Sequence, residues 1–126
     1  MYYEICAVVS QLKKNKSNHE SISFDDDLVL RIIVTRSKYL KKKSYIVLLQ
    51  ARNGRVTLYD GKVSKLNEDT KISLTMELMH ALAQWRAGYI KCLKCGRYLM
   101  YGRFVKHYFS SYYCNNCWQE KLYELN

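Results

Sequence analysis

Two cysteine pairs limit what this chain can fold into more than any other feature. Cys92-Leu-Lys-Cys95-Gly96 is answered by Cys114-Asn-Asn-Cys117, with 18 residues between the pairs. Two residues between cysteines let a tight backbone turn aim both sulfurs at one ion from one side. A second such turn completes a tetrahedron, and this is the spacing of a four-thiolate zinc site. Cys92, Cys95, Cys114 and Cys117 are therefore expected to hold one structural Zn²⁺. Four thiolates close the coordination sphere and leave no position for water or substrate.

Reading the cysteines as ligands depends on compartment. Met1 to Val9 is only mildly apolar and has no basic residues before it, so no secretory leader is expected. No apolar run approaches the roughly 18 residues of a membrane span. The expected location is intracellular, cytoplasmic or nuclear, where paired cysteines bind metals rather than form disulfides. There are 21 Lys and Arg residues against 11 Asp and Glu, a formal charge of +10. Four thiolates on Zn²⁺ would lower this to about +8. The excess is spread along the chain, with 15 basic and 9 acidic residues up to Gly88 and 6 and 2 after it. Such a balance favours polyanionic partners, though it also suits an ordinary soluble basic surface.

The chain lacks proline, low-complexity segments and internal repeats. Tyr2 to Val9 is β-rich, Gln11 to Ser23 reads as a polar mobile loop, and Asp25-Asp26-Asp27 leads into a central strand at Leu28–Thr35. A third strand is expected at Tyr45–Leu49. Asn53-Gly54, a dipeptide suited to positive φ, should turn it into Val56–Tyr59. Asp60-Gly61 repeats the signal before Val63–Leu66. A helix follows, with Leu74, Leu78, Ala81, Leu82 and Trp85 on one stripe. Thr70 or Ser73 is expected to cap it and Gly88 to end it. The fold class is α+β: an antiparallel meander with one packed helix over residues 1–88, then a metal module over 89–126.

Within that module Gly96 permits the curl of a zinc knuckle. Arg97–Tyr101 and Phe104–Tyr108 read as hairpin arms turning at Gly102-Arg103. Trp118 and Leu122, four apart, suggest that Cys114 and Cys117 start a short terminal helix. A knuckle, a hairpin and a helix that supplies the second cysteine pair resemble a treble clef. A second knuckle without the helix would resemble a zinc ribbon. The resemblance covers about residues 89–126 and implies Cys92, Cys95, Cys114 and Cys117 as the ligands. Both superfamilies include ribosomal, transcription-factor and nuclease members as well as protein-interaction modules.

Ten of the 17 aromatic residues lie in 89–126, with Arg97, Arg103, Lys106 and His107 among them. Cations that contact phosphate beside rings that stack on bases are the chemistry of single-strand or RNA binding. The candidate contacts are Arg97, Tyr98, Tyr101, Arg103, Lys106, His107 and Tyr108. A second cluster, Arg36, Lys38, Lys41, Lys42 and Lys43, suits a phosphate-contacting loop. The competing reading makes the rings the module's own small core and the lysines a solvated loop.

Two functions remain from this reading. The first is a nucleic-acid-binding protein, with RNA or a single strand favoured. The alternative is a non-catalytic adaptor or inhibitor that docks on a protein. No small-molecule substrate is evident. Catalysis is not expected, since no Gly-rich phosphate loop, nucleophile elbow or paired catalytic carboxylates appear. Asp25–Asp27 as a Mg²⁺ site and Asp60-x-Lys62 as a nuclease fragment are better explained as a strand entry and a turn. Cys6 reads as a small buried hydrophobe, His80 as a packed helical histidine, and His107 as a phosphate contact rather than a ligand.

Overall fold

The computed structural model describes residues 19–24, 28–36, 43–65, 67–102 and 106–125. The expected strand at Tyr2–Val9 with Cys6, Asp25–Asp27, Lys38, Lys41, Lys42 and Arg103 lie outside them.

Four strands, β1 (His19–Phe24), β2 (Leu28–Arg36), β3 (Lys43–Ala51) and β4 (Val56–Val63), pair in chain order as an antiparallel sheet. The register explains the core. Leu30 faces Leu49 and Ile32 faces Val47 across the β2–β3 ladder, while Leu49 faces Tyr59 across β3–β4. Residues directly opposite share a face, so the buried Leu28, Leu30, Ile32, Val47, Leu49 and Ala51 form one apolar layer. A register shift at Leu49/Gln50 leaves Leu58 without an opposite number. This bulge lets Val56, Leu58 and Tyr59 all be buried, which strict alternation would forbid.

Three strand expectations are corrected. Residues 19–24, of which 19–23 were read as part of a polar loop, form strand β1 by pairing with β2. The alternation of Ile22 and Phe24 with polar residues was the available signal. Asp60-Gly61 is no hairpin: β4 runs straight through it to Val63, and no separate strand follows it before α1 among the described residues. Gly61 is needed because the Tyr59 ring lies over it, where a Cβ would collide with the phenol. The Asn53-Gly54 hairpin forms, but one residue earlier than the dipeptide suggests. Gly54 N–H donates to Ala51 O at 3.2 Å, which makes Arg52 and Asn53 the central residues, with φ of 52° and 58°.

Helix α1 (Glu68–Arg86) buries Leu74, Thr75, Leu78, Ala81 and Leu82, with Trp85 packed beside them. Asn67 is the cap, ahead of both residues expected. Its side chain accepts from Thr70 N–H while the Thr70 hydroxyl accepts from Asn67 N–H, both at 2.9 Å, a reciprocal capping box. Asn67→Ala is expected to destabilise the protein by about 1 kcal/mol in urea unfolding. Gly88, with φ of 94°, follows the cap residue Ala87 and stops the helix as expected.

The remaining elements are β5 (Tyr89–Lys91), β6 (Tyr98–Met100), β7 (Lys106–Tyr108), β8 (Ser111–Tyr113) and α2 (Asn115–Leu125). The hairpin expected between 97–101 and 104–108 is not seen among the described residues, where β6 and β7 do not pair with each other. β6 returns to pair with β5, and β7 pairs with β8. Contacts cross Gly88 freely. Ile90 is 1% exposed within the sheet–helix core, and Tyr101 and Tyr112 pack against that core. On the edge of β4, Thr57 N–H donates to Ser110 O at 2.7 Å, and its hydroxyl donates to Ser110 Oγ at 2.9 Å. No helix among the described residues is long and apolar enough to cross a membrane.

Candidate metal centre

The β5–β6 hairpin holds the first cysteine pair in its loop. Cys92 N–H donates to Arg97 O at 2.8 Å and Gly96 N–H to Cys92 O at 2.9 Å, which closes the knuckle. Gly96 has φ of 81°, the left-handed geometry that this curl requires. The second pair sits at the start of α2. Cys114 directly precedes the helix and Cys117 lies in its first turn, with Trp118 N–H donating to Cys114 O at 2.8 Å. The terminal helix expected from Trp118 and Leu122 is therefore present.

All four sulfurs lie within 4.8 Å of one another, and Cys95 Sγ and Cys114 Sγ are 3.9 Å apart. A metal–sulfur bond of about 2.3 Å places the corners of a tetrahedron about 3.8 Å apart, so one ion fits between these thiols. The cluster is well enclosed: Cys92, Cys114 and Cys117 are buried, and Leu99 and Tyr113 pack around them. Cys95 alone is exposed. Among the described residues this is the one group of three or more Cys, His, Asp or Glu close enough to hold a metal.

Protonation points the same way. Burial pushes the Cys92 thiol up, but backbone N–H groups of Cys95, Cys114 and Lys94 outweigh it and bring the thiol down to about 6. Cys117 is pushed up to about 12, first by its hydrogen bond to Cys114 and then by burial and the Cys92 charge. One sulfur ionises readily and the last strongly resists, as expected where negative charges crowd together without a cation. A bound cation removes that conflict by taking all four thiolates. The N-terminal dipole of α2 favours the same charge.

The surroundings tie the centre to the rest of the fold. Lys94, within the knuckle, forms ion pairs with Glu120 and Glu124 of α2, both at 2.9 Å. Those carboxylates hold the Lys94 ammonium well above its ordinary value. Leu93 N–H donates to Tyr112 O at 3.0 Å, joining knuckle and second hairpin.

The residues expected to contact a nucleic acid divide into several environments. Tyr101 is half-buried and packs against the core. Its ring sits edge-on to Trp85 at 4.9 Å and to Tyr112 at 5.5 Å, with the Arg52 guanidinium 5.0 Å from its centroid. Arg52, which the sequence reading missed, also donates to Tyr101 Oη at 3.1 Å. Burial and the Tyr101 hydroxyl push Tyr112 up to about 12. Tyr98 is half-buried, edge-on to His80 at 5.2 Å. Arg97, Lys106, His107 and Tyr108 are exposed. Arg36 and Lys43 pair at the end of the β2–β3 ladder, where the basic cluster begins and ends. The most exposed rings among the described residues, Phe109 at 82% and Tyr123 at 83%, were not singled out from sequence.

His80, expected to be packed, is exposed on a cleft of about 410 Å³ between β4, α1 and the knuckle. Asp60, Glu77, Lys91 and Tyr98 also line it. Two carboxylates against one ammonium make this cleft a poor seat for phosphate.

The fold and site define an α+β chain that carries a four-cysteine, metal-binding-type centre beside an antiparallel sheet and helix. Comparison with protein-family models, with curated proteins and with solved structures gives no match.

Proposed function

We propose that this chain is a small, basic, non-catalytic nucleic-acid-binding protein in which one structural zinc ion orders the binding face. Four thiols within 4.8 Å of one another suit Zn²⁺ among the common intracellular cations, and four thiolates leave no open coordination position. The observation that carries the binding reading is the placement of exposed cations beside exposed rings on one hairpin. Lys106, His107, Tyr108 and Phe109 are all exposed on β7 and its turn, and the Lys121 ammonium lies 5.5 Å from the Tyr108 centroid. That pairing of charge with π-faces is how single-stranded RNA or DNA is held without base-specific readout. The formal charge of +10 supplies long-range attraction. Arg36, Lys38, Lys41, Lys42 and Lys43 would add phosphate contacts from the β2–β3 connection.

The test is binding of fluorescent single-stranded RNA, single-stranded DNA and duplex DNA across a salt series. The expected result is tighter binding of single strands, with log K falling against log salt at a slope of about −2 to −4, as three to six phosphate contacts would give. No binding to any nucleic acid at low salt sinks this reading and leaves a protein-docking role for the same face.

A further inference from the structure

The turn between β7 and β8 carries a conflict that the fold itself does not resolve. Tyr108 pairs with Ser111, so the loop has two residues, Phe109 and Ser110. Only Phe109 has positive φ, at 55°. Positive φ at the first position of a two-residue hairpin turn strongly favours glycine. A phenylalanine there is a backbone outlier, because its Cβ crowds the neighbouring carbonyl. The side chain gains little in return, since it is 82% exposed. Glycine would relieve the backbone, and a polar residue would suit the solvent. The sequence does neither.

The ring is nevertheless held in place. Tyr108 meets it edge to face, with centroids 4.5 Å apart at 76°. Tyr108 in turn lies beside the Lys121 ammonium. On the other side of the turn, Ser110 is fastened to the edge of β4 through Thr57. The hairpin tip is therefore anchored to the main sheet while its aromatic residue points outward. Strain of this kind persists where the surrounding structure enforces it and clusters at ligand contacts. A preorganised ring loses little freedom on binding.

Resting on the nucleic-acid reading above, we infer that Phe109 is a base-stacking platform, presented by a strained turn, with Tyr108 as its support. The exposed Lys106, two residues before Tyr108 on the same face of β7, is a candidate contact for a flanking phosphate, and Lys121, which also pairs with Glu124 at 3.8 Å, is a second. The ligand class is an unpaired nucleotide in a single strand, because a base inside a duplex has no free face to offer.

Three variants test this with an oligouridylate of about 12 nucleotides and its deoxy counterpart. Phe109→Gly is expected to weaken binding about 10-fold, the loss of one stacked base. It should also raise Tm by about 2–4 °C as the strain is released. Phe109→Trp should bind as tightly as the native chain, and its added fluorescence should be quenched by the oligonucleotide. Phe109→Ala keeps the strain without the ring, so it should weaken binding without raising Tm. Metal content should be unchanged in all three. If Phe109→Gly binds within about twofold of the native chain while that chain binds with a steep salt slope, the platform is refuted and the broader reading survives. If the native chain binds no single strand, both fall together.

Discussion

Chelation of the metal is expected to unfold residues 89–125 and to weaken, without abolishing, the sheet beneath them. Structural zinc contributes on the order of 10 kcal/mol or more to small modules of this kind, and the two short hairpins here have three-residue strands that cannot stand alone. The module is also part of the main core, since Ile90 is 1% exposed and Tyr101 and Tyr112 pack against the sheet–helix cluster. Losing those contacts should cost the remaining body about 2–4 kcal/mol, a large part of a typical domain's stability. Tryptophan emission and the amide spectrum of β2 and β3 separate the two effects. Unchanged fluorescence after chelation would refute the structural role of the ion. The apparent metal affinity should rise with pH, most steeply below about pH 6, where the Cys92 thiol is protonated as well. Protons compete for the thiols at low pH, and Cys117, pushed up to about 12 in the metal-free cluster, must surrender its proton on binding. The sign is thus loss of metal on acidification.

Ile90→Ala is the second large effect. Removing most of a fully buried side chain costs roughly 2–5 kcal/mol through lost transfer energy and the cavity left behind. Ile90 sits two positions before Cys92 on β5, facing Leu99 across the ladder. The substitution should therefore lower both the urea midpoint and the metal affinity, because one residue belongs to both bodies. Ile90→Val should cost about 1 kcal/mol and leave metal binding near native. A fall in stability with unchanged metal affinity would show that the centre assembles independently of the core.

What could be read ahead of the structure follows the range of the interactions involved. The cysteine spacing is local: two residues fix the geometry of each pair, so Cys92, Cys95, Cys114 and Cys117 were identifiable and are found together. The stripe of Leu74, Leu78, Ala81 and Leu82 is likewise a matter of helical repeat, and Gly88 ends the helix as its type suggests. Asn67 was missed as the cap although asparagine is a strong capping residue, because the apolar stripe begins only at Leu74 and drew the boundary toward it. The stacking of Arg52 on Tyr101 and Trp85 joins residues far apart in the chain and had no sequence signal.

By itself the sequence determined the α+β class, the meander, the long helix and the four-thiol centre, because periodicity and short-range spacing act within a few residues. Only the tertiary structure decided which strands of the metal module pair. Strand 98–100 could turn forward at Gly102 or fold back onto 89–91. The backward pairing closes the knuckle, buries Ile90 and brings Cys92 and Cys95 to the start of α2, gains that no local signal contains. Tertiary packing likewise decided the fate of the aromatic rings. Composition placed many tyrosines beside cations, but Tyr101 and Tyr112 are half-buried against the sheet–helix core. The same packing left Phe109 exposed on a strained turn.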